Sequence, residues 1–551
     1  LRFDIKRAPL LLGGVALVLA LHGLGSTDIT GDDEAREAGI VQDILAGHVL
    51  WPRFNADLIP DKPTLYHWVA AIPCTLAGFS AAAVRLPSAV AAAGLIAWVT
   101  WFGARVLGTE AGIAAGILMA TFPVFFDHAR VARPDVLMLL LLAPALGCAF
   151  TAWRERRRRD AELALVLLGL ATLAKGPVAP ALFVATMGGF AAWQRDARPL
   201  RALVTPIGIA ALLVLGLGWY VLAYAGWGQE FVRQHLVGRY LRNLAGGLAE
   251  GRPYSERSLV YHLTFYPLHL PAVALPWTPL VVAALVRLER RRGFTNPLVR
   301  FLVVWSVAPI VVFTPAEWKL RYYLLPSLPP LALLTAPLAV ELLTRRPEAL
   351  RATRASLVAA AAVLAVGGAV TAIALARPDL LARSDEGVVA DLVATVPGGA
   401  PVIAALVGTL LGVGAVATAL RLWGPLVAVT GALTLGWIAV GAPAMAVQAD
   451  AGRSLRTFAE AALAHFPGPT ALAFYGEPVR SIVVYVGHPV RSLDRSVLDI
   501  TPGLGVIAPE PAYRVLAARG HLGPPLATGS GQTGNLERGT LVVAEGLEKA
   551  P

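Results

Sequence analysis

Residues 135–153 read DVLMLLLLAPALGCAFTAW, an apolar run with one charge, at its first residue, followed at once by Arg154, Glu155 and four successive arginines, Arg156 to Arg159. A run of about 20 apolar residues is long enough to cross a bilayer core as a helix. Similar runs recur through the first 447 positions. The composition agrees: of 551 residues, 47 are Lys or Arg and 36 Asp or Glu, a formal charge of +11, yet charged residues make up only 15%. An ordinary soluble protein carries roughly 25%. With a mean hydropathy of +0.63, the chain reads as an all-α polytopic membrane protein, because lipid demands backbones whose hydrogen bonds are satisfied internally. The basic balance does not point to nucleic acid, since Lys and Arg sit mainly in short loops between apolar runs. Cys74 and Cys148 lie far apart in apolar segments and imply neither a disulfide framework nor a cysteine metal cluster.

The basic loops set the topology. Arg2, Lys6 and Arg7 precede a first run near 8–25; later clusters are Arg105, Arg154 to Arg159, Arg195 to Arg201, Arg287 to Arg292 and Arg345 to Arg354. Cytoplasmic loops hold such an excess of Lys and Arg. Spans near 84–106, 111–126, 135–153, 162–176, 178–194, 202–224, 263–286, 299–315, 320–343, 355–376, 401–421 and 424–447 satisfy that rule with alternating direction. With the first, this makes about thirteen transmembrane helices. The stretch 65–80 is then a juxtamembrane or re-entrant helix, because a crossing there would invert every later basic loop. The reading divides the chain into a transmembrane part, 1–447, with a first extracytoplasmic loop over about 26–83, and a small extracytoplasmic α/β domain, 448–551. In that tail, helices are expected near 453–465 and 510–519, and strands at 471–475, 481–486, 504–508 and 540–544. Leu1 in first position suggests a start further upstream.

Charge on the side opposite the basic loops is not explained by topology, and ionisable groups at span ends are costly in lipid. They form a short set: Asp28, Asp32, Asp33, Glu34, Arg36, Glu37, Asp57, Asp61 and Lys62 in the first loop, then Asp127, His128, Arg130, Arg133 and Asp135. Lys175 follows, then Arg233, His235, Arg239 and Arg242, and finally Glu317, Lys319 and Arg321. Each has an ordinary structural use. Asp32 to Glu37 suits a helix N-terminus, Asp61-Lys62-Pro63 a helix start at proline, Asp135 a helix cap, and Tyr322 and Tyr323 an interfacial anchor. Together they place carboxylates opposite cations at the lipid boundary. Cations there stabilise a departing phosphate while a carboxylate orients or deprotonates an acceptor, the chemistry of glycosyl transfer from a lipid phosphate sugar.

The words DDEAREAG at 32–39, DKPTLYHW at 61–68, VRLPSAV at 84–90, ARVARPDVLML at 129–139, LAKGPVA at 173–179, LPW at 275–277 and KLRYYLLPSLPPLALL at 319–334 run through most of the chain, and FYGEPVRSIVVYVGHPV at 474–490 extends the pattern into the tail. In their order and spacing the sequence resembles the polyprenyl-phosphate-sugar-dependent membrane glycosyltransferases of the GT-C type. Within these it is most similar to the bacterial lipid A aminoarabinose transferases, relatives of the protein O-mannosyltransferases. The resemblance implies an inverting transfer at the periplasmic face of the inner membrane, from an undecaprenyl-phosphate-type donor to lipid A or another envelope glycan or protein. It implies Asp33 as the principal catalytic carboxylate with Glu34 beside it, and Asp135 as a second acidic position. Lys62 would bind the donor phosphate, helped by Tyr323, Lys175, Lys319 and an arginine that is Arg239 or Arg242. It requires no cofactor, and leaves open a divalent metal for which Asp61 is the candidate ligand, standing where the aminoarabinose transferases more often have Glu.

Two other readings compete. A lipid-linked sugar transporter or flippase would carry polar residues or broken helices near the bilayer midplane, and often repeated halves; here the ionisable residues gather at one face instead. A relative of the O-antigen ligases shares the lipid-linked chemistry and lacks the acidic word and the Lys-Pro pair of the first loop.

Overall fold

The computed structural model describes residues 7–241, 259–290, 292–316, 319–344, 423–494, 500–533 and 538–547. The spans expected over 355–376 and 401–421 lie outside them, as does Arg242. The chain divides into two compact units: one holds Leu1–His22, Asp61–Tyr66 and Pro87–Ala442, the other Gly23–Pro60, His67–Leu86 and Pro443–Pro551.

The first unit is a bundle of apolar helices. Among the described residues, Ala81–Leu107, Pro134–Glu155, Pro206–Trp227, Arg321–Leu343 and Val427–Ala444 are long and apolar enough to cross a membrane, and Ala8–Leu21, Thr109–Ala120, Val178–Gln194 and Pro297–Phe313 are shorter apolar helices, as is Leu65–Ala77, most of which belongs to the second unit. The protein is membrane-integral. On Pro206–Trp227, Val214 is 70% and Val221 68% exposed, apolar side chains that face lipid in a spanning helix. Threonines inside the bundle hydrogen-bond one turn back, as Thr172 does to the Leu168 carbonyl and Thr335 to that of Leu331, so these hydroxyls are satisfied within an apolar medium. The centre is aromatic. Phe150 stacks on Phe301 with ring centroids 4.8 Å apart, and Phe190 meets both edge-on or tilted.

Two local features depart from the expected spans. The run 263–286 is two helices, Val260–Val273 and Thr278–Arg290, bent by 107° at their break. Pro267, Pro271 and Pro276 crowd this stretch, and proline removes a backbone donor and clashes with the preceding turn. The run 111–126 is likewise divided, into Thr109–Ala120 and Pro123–His128. The helix Leu65–Ala77 has 13 residues, about 20 Å of rise, too short for a bilayer core.

The second unit carries a five-stranded sheet in the order β2-β1-β3-β5-β4. Its strands are β1 (Leu472–Tyr475), β2 (Arg491–Leu493), β3 (Gly505–Pro509), β4 (Leu522–Gln532) and β5 (Arg538–Gly546). β1 pairs in parallel with β2 and β3, and β5 runs antiparallel between β3 and β4. The strand expected at 481–486 is a correction: Arg480–Val486 is a helix. A short apolar run reads equally as buried strand or buried helix. Here Gly487 closes it with φ +79, the left-handed backbone that ends helices and that glycine adopts without strain.

Candidate functional site

In the second unit, the acidic word becomes the first turn of helix Asp32–Leu45, which starts after Gly31. Three carboxylates in a first turn complement the helix dipole, but each is also individually tied. Asp32 accepts from Arg480 at 2.7 Å; burial raises its pKa above the usual carboxylate value against the opposing pull of Arg480. The Asp33 side chain is 26% exposed and lies 3.3 Å from Arg36 Nη2. Glu34 is buried and gripped through both oxygens by Arg85, at 2.7 Å from Nε and 2.9 Å from Nη2. Asp33 and Glu34, adjacent in sequence, thus differ in kind: one reaches solvent, the other is clamped.

In the first unit, Asp135 opens helix Pro134–Glu155 and Lys175 ends helix Arg158–Lys175, two helices packed along one another. Gly176, at φ +80, breaks the chain immediately after Lys175 and leaves that ammonium at the helix end. Its Nζ donates to Asp135 Oδ1, and the pair is almost fully buried. The repulsion of Lys62 and Arg133 also acts on Lys175. Arg133 stands over the Tyr322 ring at 4.8 Å, and Lys175 over that of Tyr323 at 5.3 Å, distances at which a cation is attracted to the ring face. Phe313 stacks on Tyr323 at 4.6 Å. Asp135, Lys175, Tyr322, Tyr323 and Phe313 line one narrow pocket. His128 stacks near Tyr322 at 4.9 Å and donates from Nδ1 to the Val124 carbonyl. Burial, with Arg133 and Lys175 adding to it, lowers its pKa to about 4.

The structure therefore brings together Asp135, Lys175 and Tyr323 of the expected set, with the Lys62 charge acting on Lys175. Lys319 is engaged by backbone beside Phe313: its Nζ donates to the carbonyls of Thr314 at 2.6 Å and Ala316 at 3.0 Å, lies 3.5 Å from that of Phe313, and faces the Tyr266 ring at 5.3 Å. It caps the end of helix Pro297–Phe313. Arg239 falls in the π-helical segment Val232–Leu241, and its side chain lies outside the described ones. Asp61 Oδ1 is 3.7 Å from the Lys62 ammonium. Among the described residues no group of three or more His, Cys, Asp or Glu side chains is placed to hold a metal ion.

Sequence reasoning missed Arg85 and His67. Arg85 stands at the start of an apolar helix on the side where the basic-loop pattern calls for no cation, and that misplacement was the available signal. Nothing marked His67, whose significance comes only from the helix it faces.

Residues 61–221 match the family described as Dolichyl-phosphate-mannose-protein mannosyltransferase. A crystal structure of ArnT from Cupriavidus metallidurans bound to undecaprenyl phosphate superimposes with a TM-score of 0.72 at 19% identity, covering 97% of each chain. The chain has the ArnT fold. Two relatives are named undecaprenyl phosphate-alpha-4-amino-4-deoxy-L-arabinose arabinosyl transferases. That of Pseudomonas fluorescens (strain Pf0-1), number 2 of its kind, is 29% identical over 59% of this chain and 58% of its own length; that of Pseudomonas aeruginosa (strain LESB58) is 31% identical over 57% and 56%. The match spans less than two thirds of these relatives. Similarity in sequence thus covers residues 61–221 for the family and somewhat more than half of the chain for these relatives, and similarity in fold covers nearly all of it.

Proposed function

We propose that this protein is an inverting glycosyltransferase that moves a sugar from an undecaprenyl-phosphate-type donor to an acceptor at the periplasmic face of the bacterial inner membrane, with lipid A the leading acceptor. The observation that carries the reading is the cluster of Lys175, Arg133 and the Lys62 charge around Asp135 and the Tyr322–Tyr323 pair, in a chain with the ArnT fold. About thirteen spans, with residues 448–551 outside the cytoplasm, belong to the same proposal, since they put these span ends on the face away from the basic loops.

The acceptor oxygen attacks the anomeric carbon, the bond from that carbon to the phosphate oxygen breaks, and the lipid phosphate leaves with the electron pair. A phosphodiester with one negative charge becomes a monoester with two. Charge grows on the leaving phosphate in the transition state, where fixed cations stabilise it most. Lys62, Lys175 and Arg239 take this role, with Tyr323 donating its hydroxyl; Lys319 joins them by exchanging its carbonyl partners for the phosphate. Asp135 holds Lys175 in place. Asp33 is the catalytic carboxylate: toward a hydroxyl acceptor it accepts the proton, and toward an acceptor phosphate, already anionic, it orients. Glu34, also expected to be catalytic, stands beside it and fixes the backbone on which Asp33 sits. No cofactor enters this scheme.

The test is incubation of the full-length protein in lipid nanodiscs with undecaprenyl phosphate sugars, including aminoarabinose and hexoses, and with lipid A, following products by mass spectrometry. Transfer that Asp33→Asn abolishes is expected. Movement of labelled lipid between leaflets without transfer would replace the enzyme by a transporter.

A further inference from the structure

Glu37 and His67 take no part in the scheme above, yet they are among the most deeply buried polar groups of the second unit, at 0% and 1% exposure. Glu37 lies one turn into helix Asp32–Leu45, and one of its oxygens, Oε2, is 2.6 Å from His67 Nε2 on helix Leu65–Ala77. A carboxylate only accepts, so Nε2 is the donor. The other oxygen, Oε1, is 3.3 Å from Arg36 Nη2, and the same Nη2 is 3.3 Å from Asp33 Oδ1. One nitrogen with two hydrogens therefore serves two carboxylates. The chain His67–Glu37–Arg36–Asp33 runs from a sealed interior to a carboxylate that is 26% exposed.

We infer that Glu37 and His67 are a positioning pair that aims Arg36, and through Arg36 the carboxylate of Asp33. The inference rests on the reading of Asp33 as the catalytic carboxylate. A buried charge triad is a poor source of stability, because desolvation offsets most of its attraction and apolar replacements are often at least as stable. What such a triad supplies is direction. With both Glu37 oxygens engaged, the guanidinium is fixed in rotation, and the Nη2 hydrogen turned toward Asp33 fixes that carboxylate in turn. Without the His67 donor, Glu37 turns, Arg36 follows, and Asp33 loses its orientation although nothing near the substrate has changed. Displacement of a reacting group by about 1 Å costs on the order of a hundredfold in rate.

The experiment compares His67→Leu, His67→Gln, Glu37→Gln and Asp33→Asn in the full-length protein in nanodiscs, measuring kcat and donor KM for transfer together with thermal unfolding. His67→Leu fills a buried site without a donor; His67→Gln keeps an N–H for Glu37. A fall in kcat of about a hundredfold in His67→Leu and Glu37→Gln, with donor KM within a factor of three and recovery of most of the rate in His67→Gln, is the expected result. Wild-type kcat in folded His67→Leu overturns the inference. Equal losses in Leu and Gln that track unfolding overturn it as well, since they reduce the pair to packing. Should Glu37→Gln fail to fold, the two His67 variants decide alone. Full activity in Asp33→Asn is a separate failure, that of the underlying functional reading, and is distinguished by being scored on Asp33 itself.

Discussion

Arg85 holds Glu34 with two parallel donors, and its other N–H groups reach the Leu24, Thr27 and Asp28 carbonyls at 2.9–3.0 Å. One guanidinium thus fixes both the acidic turn and the strand of chain that leads into it. Removing the Glu34 charge leaves Arg85 buried and uncompensated, a change that typically costs about 3–5 kcal/mol. Glu34→Gln is therefore expected to lower thermal stability sharply and to lose transfer as a consequence. Asp33→Asn, at a partly exposed position, should unfold within about 1 kcal/mol of wild type while losing transfer. Thermal unfolding in detergent beside the transfer assay separates the two; equal stability in both variants would remove Glu34 from its anchoring role.

The Asp135–Lys175 pair makes a double-mutant prediction. Lys175→Met strands a buried carboxylate and should cost about 3–5 kcal/mol, whereas Lys175→Met with Asp135→Leu should recover most of that loss. Neither protein should transfer sugar. Additive destabilisation in the double variant would show that the two residues do not depend on one another.

His128 gives a pH dependence whose sign follows from its lowered pKa. Its folded value of about 4 lies below the ordinary 6.5, so the unfolded chain binds the extra proton first. The stability held by neutral His128 is full above pH 6.5 and declines as pH falls toward 4. The total is about 3 kcal/mol. His128→Asn should flatten the unfolding temperature over that interval; an unchanged slope would mean that other groups set it.

Lys62 is assigned to the leaving phosphate. Lys62→Ala should lower kcat/KM for the donor by about 10²–10³-fold, the usual cost of losing one electrostatic contact to developing charge, with partial recovery in Lys62→Arg. Unchanged donor KM and kcat would remove Lys62 from the site.

The sequence made the bundle legible because lipid imposes a single requirement, length of apolar run, which local composition states directly. The helix Val178–Gln194 coincides with its expected span. The prolines that break 263–286 and the Gly487 that makes 481–486 helical were visible, but a run of apolar residues outweighed them in the reading. Within the site, Asp135 and Lys175 were legible because each is a charge where topology requires none, 40 positions apart. Their pairing was not, since it depends on two helices packing in register. Lys319 shows the limit from the other side: an ammonium at a span end looked available for phosphate, and the carbonyls that engage it belong to backbone, which has no signature in sequence. Arg85 and His67 act through partners 51 and 30 residues away, a separation at which residue type alone says little.

The segment that bears Asp33 draws its hydrogen bonds from the far end of the polypeptide: the Asp28 N–H from Asp450, that of Ile29 from Tyr485, the Asp32 carboxylate from Arg480, and the Asn55 side chain from Val490. Translation delivers these partners more than 420 residues later, on the order of half a minute at bacterial elongation speed. Through that interval the acidic turn exists without the contacts that shape it. Those contacts come only with residues 450–490, so a product released before them would bear every carboxylate and cation proposed for catalysis without the partners of its acidic turn.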